Sequence, residues 1–452
     1  MTAPGARLRV PDPLVLLTAC VLLAAAASWL LPAGEFDRRE DPATGRMVVV
    51  AGTYEQVEPS PVGPFDAVVA LPVGMAQAAD VIFLVFLIGG AFMVVDESGT
   101  LRRAIASLVR ALGGRDLLII PIVSLFFAVG GITQNMQEEI VALIPVLLIL
   151  TARVGFTPMV AVAMSAGTAF VGSAFSPINP FQVLIAQGVA ELPPGSGWAF
   201  RTVFLGVALV TWIGLTMRYA SETRRTPEAV THDVSTDVLK GRDWVVLSLV
   251  AATFVLVVRG LIVSGWGFDQ LSAAFFVMGV LVGLVSRMGF GGTAKAYGKG
   301  FREMAYAALL IGFARAIYVV LEQGRIVDTI VHGMFVPLEG LPPLASALGM
   351  VVAQALVHVP VPSVSSQAVL TMPLLVPLSD LLDLSRQVTV LAYQYGAGLC
   401  DVLTPTNGGL MAILAAAGVR YDQWVRFAGP LYLALVGLGG VAIAVAIGVG
   451  LR

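Results

Sequence analysis

Two short segments with a shared pattern decide the fold of this chain. Residues 173–180 read Ser-Ala-Phe-Ser-Pro-Ile-Asn-Pro, and residues 401–409 read Asp-Val-Leu-Thr-Pro-Thr-Asn-Gly-Gly. Three pairs of identical residues, two of proline and one of asparagine, are each separated by 228 positions. The pairs are Pro145 and Pro373, Pro177 and Pro405, and Asn179 and Asn407. Two prolines and an asparagine in one register predict an internal repeat.

The composition is typical of a protein embedded in a membrane. Of the 452 residues, 57% are hydrophobic and 12% are charged, whereas soluble proteins carry roughly 25% charged residues. The net charge of -2 gives no electrostatic reason to expect nucleic acid as a partner. Cys20 and Cys400 lie inside apolar runs, which excludes a disulfide framework and a cysteine-based metal cluster. The common hydrolase and nucleotide-binding motifs are absent, so we expect no enzymatic activity.

Long apolar runs predict an all-α, polytopic membrane protein. The run at residues 14–31 follows two arginines and is longer than the core of a signal peptide, so we interpret it as a retained span. Basic clusters between the later runs should face the cytoplasm, together with the N-terminus. These clusters lie at residues 102–115, 218–242 and 287–302.

Arg115 and Arg153 can share the cytoplasmic side only if the apolar segment between them enters the membrane and returns. The pattern therefore predicts a re-entrant hairpin with its tip near residues 133–139. When the later apolar runs are assigned in turn to membrane crossings, the pattern predicts a second re-entrant hairpin, which enters from the outside.

We divide the chain into three parts. The first repeat, residues 1–218, contains a span at 14–31, an outside loop at 32–64, a hairpin at 117–152 and a broken helix at 157–190. Residues 219–270 form a cytoplasmic linker and a connecting span. The second repeat, residues 271–452, contains a hairpin at 344–382 and a broken helix at 388–419. The odd connecting span inverts the second repeat, an arrangement typical of secondary transporters.

The hairpin tips and the helix breaks combine helix breakers with Ser, Thr, Asn and Gln. Backbone groups that these breaks leave free must line a cavity within the protein. Free N–H groups suit a carboxylate, and side-chain or carbonyl oxygens suit a hard cation. The candidate substrate-binding residues are Asn135, Glu138, Glu139, Ser176, Asn179, Arg315, Ser363, Ser365, Thr404, Thr406 and Asn407. The candidate Na⁺ ligands are Asn179, Asp401, Thr404 and Asn407. We expect no cofactor other than Na⁺ or H⁺ as a coupling ion.

Arg315 lies near the centre of an apolar run, where an unpaired guanidinium costs about 3 kcal/mol. Three interpretations remain open: a buried ion pair with Glu138, Glu139 or Asp401, direct contact with a substrate carboxylate, or snorkelling to a surface. Either glutamate could instead cap the helix that follows the first tip. His358 could titrate or be solvated.

Several motifs resemble those of the anaerobic C4-dicarboxylate carrier family, in its YfcC-like branch within the ion transporter superfamily. They are Trp29-Leu-Leu-Pro-Ala-Gly-Glu35, Gln-Glu-Glu139, Asn179-Pro-Phe181, Gly312-Phe-Ala-Arg-Ala-Ile317, Met372-Pro373, Ala392-Tyr-Gln-Tyr-Gly396 and Thr404-Pro-Thr406. The resemblance implies a homodimer with a scaffold and a mobile transport domain. The chain departs from the family pattern at Gln134, Asn135 and Ala397, and at Asp401, where the family usually has Asn.

We therefore expect a secondary active transporter in the inner membrane. It should move a small organic anion resembling a C4-dicarboxylate by alternating access, coupled to an ion or by exchange. The alternative is a basic amino acid antiporter, which Glu138, Glu139 and Asp401 favour. A channel or a membrane-embedded enzyme fits the clustered polar breaks less well. The expected partners are a small-molecule substrate, the lipid bilayer and a second copy of the chain.

Overall fold

The computed structural model describes residues 12–451, except 42–45, 102, 105, 106, 108–114, 226–238, 265, 339 and 383. Arg102 and Arg110 of the first basic cluster, and much of the predicted cytoplasmic linker, lie outside the described residues. Within the described part, the chain is almost entirely helical.

The main helices follow one another along the described chain. They are α1 (Pro13–Leu30), α2 (Pro64–Gln77), α3 (Ala79–Glu97), α4 (Ile119–Gln134), α5 (Glu138–Val154), α6 (Pro158–Ala174), α7 (Pro180–Val189), α8 (Trp198–Glu222), α9 (Gly241–Ser264), α10 (Phe268–Val285), α11 (Gly289–Gln323), α12 (Val327–Phe335), α13 (Pro343–His358), α14 (Val364–Leu381), α15 (Arg386–Tyr393), α16 (Gly408–Ala416) and α17 (Tyr421–Gly448).

Eight helices in the described part are long and apolar enough to cross a membrane. They include α1, α3, α8 and α17, each of which contains an apolar stretch of 18 residues with at most two charged side chains. This confirms the prediction of an all-α polytopic membrane protein. The inverted repeat within it stays a prediction.

The predicted outside loop folds into two small antiparallel sheets. Strand β1 (Gly34–Glu35) pairs with β4 (Glu55–Gln56), and β2 (Arg38–Asp41) pairs with β3 (Arg46–Val49). Two ion pairs fasten the loop to the start of α12: Arg38 with Asp328 at 2.9 Å, and Glu35 with Arg325 at 2.6 Å. The Arg325 guanidinium lowers the pKa of the Glu35 carboxyl below its usual value.

Two helices joined by residues 135–137 occupy the first predicted hairpin. The start of the first arm and the end of the second meet the same short segment after α8. Asp116 forms an ion pair with Arg224, and the Arg225 N–H donates to the Gly155 carbonyl over 2.8 Å. Both ends of this hairpin therefore lie at the same end of α8.

The two predicted broken helices are interrupted at the prolines. Between α6 and α7 the chain is non-helical at residues 175–179, and a π-helical turn, Ala163–Gly167, precedes the break. In the second half, α15 continues as a π-helical turn, Gln394–Gly398, and the break runs to Asn407, where α16 begins. Both breaks place buried polar side chains inside the protein.

The long helix α11 is the centre of the packing around the site. It contacts α1, α2, α3 and α16. A Cβ atom added at Gly74 of α2 would lie 2.6 Å from the Ala316 backbone N, so only glycine permits this close approach. The approach places the end of α2 beside Arg315 of α11.

Candidate functional site

Asn179 holds the tip of the first hairpin against the first helix break. Its Nδ2 group donates to the Gly131 carbonyl at 2.8 Å and to the Ser173 hydroxyl at 3.2 Å. Its Oδ1 atom accepts from the backbone N–H groups of Phe181 and Gln182 at the start of α7. The side chain is fully buried, and these contacts make it a structural clamp.

Ser176 and Asn135 complete the same clamp. The Ser176 hydroxyl donates to the Ile132 carbonyl at 2.8 Å and accepts from the Asn179 N–H at 2.9 Å. Asn135 ends α4 in the left-handed conformation, with φ 54°, and its Oδ1 accepts from the Ser173 hydroxyl. Asn tolerates this conformation better than most residues, which explains an amide at the turn.

Asn407 is the counterpart in the second half and binds an acid. Its Nδ2 group donates to Asp401 Oδ1 at 2.6 Å and to Gln137 Oε1 at 3.0 Å, and its Oδ1 caps the Leu410 N–H of α16. Gln137 Nε2 donates to Asp401 Oδ2 at 3.0 Å. The second break is therefore tied to the tip of the first hairpin through the Asp401 carboxylate.

The contacts of the two halves match in the register of the sequence repeat. Asn179 donates to Ser173, and Asn407, 228 residues later, donates to Asp401 at the position equivalent to Ser173. The match supports the proposed repeat. It also identifies a chemical difference, because the first half has a hydroxyl where the second has a carboxylate.

A cavity of about 590 Å³ lies between the hairpin tips, the second break and helices α2, α10 and α11. Its polar lining contains three carboxylates and one guanidinium. The charged and amide side chains in the lining are Gln77, Asp80, Asn135, Gln137, Glu139, Arg315, Asp401 and Asn407. The volume is within the range of small-molecule sites.

Three helix N-termini line the cavity. Residues 137 and 139 begin α5, residues 363–366 begin α14, and residues 407–409 begin α16. Ser363 caps α14 by accepting from the Ser366 N–H at 3.4 Å. Helix N-termini carry a partial positive charge and unpaired N–H groups, so this side of the cavity suits a carboxylate.

Arg315 projects from α11 into the cavity, and its side chain is exposed there. Its Nε group donates to Gln77 Oε1 at 3.0 Å, and its guanidinium lies 5.0 Å from the ring centroid of Tyr318. Among the described side chains, no acid forms an ion pair with Arg315. Neither Glu139 nor Asp401 is its ion-pair partner, and the third predicted partner, Glu138, has its side chain outside the described part. The described contacts of Arg315 are to a neutral amide and an aromatic face, which leave its charge available to a ligand.

Glu139 is the buried acid of the cavity wall. It is 9% exposed, and its Oε2 atom has no hydrogen-bond partner among the described atoms. Glu139 lies in the first turn of α5, where an acid is favourable, yet burial of an unpartnered carboxylate oxygen is costly. Because Glu139 belongs to the cavity lining, its carboxylate is suited to a cationic ligand. Glu138 begins the same helix, and its side chain lies outside the described part.

The structure divides the predicted site residues into two groups. Residues that line the cavity are Asn135, Glu139, Arg315, Ser363, Ser365, Asp401, Thr406 and Asn407. Ser176, Asn179 and Thr404 are buried and belong to the packing of the breaks instead. Gln77, Asp80, Gln137 and Tyr318 line the cavity without having been predicted, and only Gln137 carried a signal, since it lies within the first tip motif.

The predicted Na⁺ ligands are engaged with one another and with the backbone in this conformation. The Oδ1 atoms of Asn179 and Asn407 accept backbone N–H groups, and both oxygens of Asp401 accept N–H donors. Each of these oxygens already accepts at least one N–H group in this state. Among the described residues, no group of three or more His, Cys, Asp or Glu side chains is arranged to hold a metal ion.

Comparisons with known proteins identify the family of the chain. The family model described as C4-dicarboxylate anaerobic carrier, DcuC, matches residues 10–448. The "Putative basic amino acid antiporter YfcC" of Escherichia coli is 31% identical, over 94% of this chain and 93% of that protein. An uncharacterized protein of Haemophilus influenzae is 27% identical, over 96% of each chain.

Among solved structures, the YdaH transporter of Alcanivorax borkumensis aligns with 97% of this chain and 99% of its own. Its identity is 18% and its TM-score 0.42. The family model covers nearly the whole chain, and the YfcC relative is 31% identical. The chain belongs to the C4-dicarboxylate anaerobic carrier family, DcuC, and is a secondary transporter.

Proposed function

We propose that this transporter carries an amino acid with a cationic side chain. The observation that carries the proposal is the charge of the cavity lining, which has three carboxylates and one guanidinium. A solute with one carboxylate and two cationic groups complements that lining. A solute with two carboxylates does not.

The substrate carboxylate would bind between Arg315 and the helix N-termini. A guanidinium can grip a carboxylate through two parallel N–H groups. Gln77 and Tyr318 hold the Arg315 side chain in position without neutralising it. The N-terminus of α14, capped by Ser363, lies on the same cavity.

The cationic groups of the substrate would bind the acidic side chains of the cavity lining. Glu139 has a buried oxygen without a partner, and a cationic N–H donor would satisfy it. Asp80 and Asp401 add negative charge to the lining. The apolar lining residues, which include Phe181, Phe268 and Leu271, suit the aliphatic stem between the charged ends.

The electrostatic energies favour a cationic amino acid over a dicarboxylate as the substrate. Two carboxylates about 6 Å apart repel each other by about 3 kcal/mol at an effective dielectric constant of about 20. One helix N-terminus contributes only about 0.3–1 kcal/mol to binding an anion. Three helix ends together offer about 1–3 kcal/mol, so the repulsion from a single acid at that distance is at least as large as their whole contribution to binding a second carboxylate.

The relatives of this chain bear on the choice between a cationic amino acid and a dicarboxylate. The relative YfcC is described as a basic amino acid antiporter, which supports the proposal. The family description names a C4-dicarboxylate carrier, and the three helix N-termini favour that second candidate.

Transport would proceed by alternating access, in which one site opens to each side of the membrane in turn. The paired tips and breaks are the elements that we propose to form the two inverted repeats. We further propose an inner-membrane homodimer with a cytoplasmic N-terminus, because the basic clusters and the family resemblance favour that arrangement.

A binding screen tests the proposal. Purified protein is heated with L-arginine, L-lysine, agmatine, succinate or fumarate, each with and without Na⁺, and the melting temperature is recorded. Ligands that bind the folded state raise this temperature. We expect shifts with arginine and lysine, a smaller shift with agmatine, which lacks the carboxylate, and none with succinate. Shifts with succinate and fumarate alone would replace the proposal by the dicarboxylate candidate.

A further inference from the structure

A second cavity, of about 600 Å³, lies at the end of the protein where the two ends of the first hairpin meet. Its walls are the start of α6, the last turns of α8, the turn between α16 and α17, and the first turns of α17. The basic clusters predict that this end faces the cytoplasm. No residue of the lining belongs to the cavity around Arg315.

The lining of this second cavity is basic. Arg218, Arg225 and Arg426 belong to it, and Glu222 is the one acid among the lining residues. Three guanidinium groups and one carboxylate leave an excess of two positive charges. Guanidinium groups bind phosphate oxygens through paired N–H donors, so the charge and the chemistry of the lining both suit a phosphate group.

Two of the arginines have charge available for a ligand. Among the described residues no acid forms an ion pair with Arg225, whose backbone N–H donates to the Gly155 carbonyl at 2.8 Å. Arg426 lies 3.6 Å from Asp422, but the oxygens of that carboxylate already accept N–H groups of Arg420 at 2.9 and 3.0 Å. A phosphate group can therefore neutralise Arg225 and Arg426 without breaking a strong ion pair.

The third arginine is held only weakly. Arg218 pairs with Glu222, one helical turn later, at 2.9 Å, and the two side chains are 73% and 59% exposed. Exposed pairs of this spacing contribute little free energy, so a phosphate can compete with Glu222 for the guanidinium. All three arginine side chains are exposed, and a ligand can contact them without rearrangement of the helices.

Much of the remaining lining is apolar. It includes Pro158, Met159, Leu215, Phe427 and Leu431. Helices α8 and α17 are both long and apolar enough to cross a membrane, and the cavity lies at the end of one and the start of the other. Basic pockets between membrane helices at this level bind the headgroups of anionic lipids. An anionic phospholipid combines a phosphate with aliphatic chains, whereas inorganic phosphate offers nothing to the apolar residues.

Thr157, which precedes α6, adds an unsatisfied polar group to the lining. It is 8% exposed, and its Oγ1 atom has no hydrogen-bond partner among the described atoms. Ser385, at the equivalent position 228 residues later, caps its helix by accepting the Val388 N–H at 3.3 Å. Buried hydroxyls normally have a partner, which is protein, water or a ligand. The side-chain cap is thus present in the second half and missing beside the basic cavity.

We propose that this cavity binds the phosphate headgroup of an anionic phospholipid from the cytoplasmic leaflet. Arg225 and Arg426 bind the phosphate oxygens, and the apolar lining contacts the aliphatic part of the lipid. Because α6 begins the first predicted broken helix and α16 ends the second, the bound lipid connects the two elements that carry the breaks and stabilises their contact. This inference concerns the lipid and does not depend on which substrate the transporter carries.

Native mass spectrometry tests the site, because it resolves each bound lipid by its mass. The parent protein in an uncharged detergent is titrated with phosphatidylglycerol, with phosphatidylcholine of the same acyl chains, or with inorganic phosphate. We expect one phosphatidylglycerol to be retained per chain, with weaker retention of phosphatidylcholine and no bound phosphate. Equal retention of the two lipids would overturn the proposal, and binding of inorganic phosphate as tight as that of the lipid would replace the lipid by free phosphate.

A pair of matched double variants locates the binding. Arg225→Gln with Arg426→Gln should bind phosphatidylglycerol about thirtyfold more weakly, the value of two basic residues near an anionic headgroup. Lys295→Gln with Arg302→Gln should bind like the parent, since it removes two exposed charges of α11 outside the lining, in a cluster predicted to face the same side. Unchanged affinity in the first variant, or equal loss in both, would contradict a specific site.

A labelling experiment on the parent covers a double variant that fails to fold. Phosphatidylglycerol with a photoreactive group on its headgroup is bound, activated by light and located by peptide mass spectrometry. We expect labelled peptides that contain residues 157–159, 215–225 or 418–431, and we expect unlabelled phosphatidylglycerol to compete more effectively than phosphatidylcholine. Labelling confined to other parts of the chain would overturn the inference.

Discussion

Arg315 of α11 donates through Nε to Gln77 Oε1 at the end of α2, over 3.0 Å. The guanidinium is thus held by a neutral amide rather than by an acid. Because the side chain is exposed in the cavity and has no acidic partner among the described residues, we expect it to bind an anionic group of a ligand. Arg315 and Glu139 line the same cavity, which therefore presents charges of both signs to a solute.

The first prediction concerns Arg315→Ala. Because no described acid depends on Arg315, the melting temperature of the ligand-free protein should change little, whereas the shift produced by L-arginine should be lost. Arg302→Ala is a matched control, since Arg302 is exposed on the same helix and is not part of the cavity lining. A loss of about 3–5 kcal/mol in the ligand-free protein would instead indicate a buried ion pair.

The second prediction concerns Glu139→Gln. Removing the charge from the buried oxygen should weaken arginine binding by about ten- to a hundredfold, the value of a hydrogen bond to a charged group. The fold should be kept, because the amide fits the same space. Calorimetric affinity is the measurement, and Glu322→Gln, at an exposed acid outside the lining, is the control. Equal affinity in parent and Glu139→Gln would move the cation site elsewhere.

The third prediction separates the paired asparagines. Asn179 makes four hydrogen bonds away from the cavity, so Asn179→Ala should cost about 2–4 kcal/mol of stability and leave arginine affinity near that of the parent. Asn407→Ser keeps an oxygen for capping α16 but removes the amide from Asp401, and it should weaken binding. Denaturant unfolding and calorimetry measure the two effects. Loss of affinity in Asn179→Ala with normal stability would return Asn179 to the binding site.

The positions of the helices and the breaks were predictable from the sequence, because apolar runs and prolines determine them locally. The hairpin at 119–154 is one example, since the requirement that Arg115 and Arg153 share a side follows from charge alone. Side-chain direction was not predictable. Asn179 and Asn407 both follow a Pro-x pair, yet the first amide donates to a backbone carbonyl and a hydroxyl, and the second donates to an acid and another amide.

Helix α2 was also missed, and with it Gln77. Its sequence is interrupted by Pro72 and follows a polar loop directly, so its apolar run is short. The helix becomes stable through packing, because Gly74 lets it approach the backbone of α11 closely. Contacts of this kind depend on residues more than 200 positions apart, which local patterns do not report.

The fourth prediction concerns topology. Asp116 contacts Arg224 and Gly155 contacts Arg225, so both ends of the first hairpin should be accessible from one side of the membrane. Single cysteines at Arg115 and Arg153, in a background without Cys20 and Cys400, should be labelled by an impermeant reagent from the same side. Labelling from opposite sides would remove the hairpin and the inverted repeat.

Counterflow in proteoliposomes tests the central claim most directly, because it reports transport of a named solute by the purified protein. Vesicles loaded with unlabelled L-arginine should accumulate labelled L-arginine from a dilute outside solution, and Arg315→Ala should abolish this while Arg302→Ala does not. Vesicles loaded with succinate should show no accumulation of labelled succinate. Counterflow of succinate without counterflow of arginine would contradict the account.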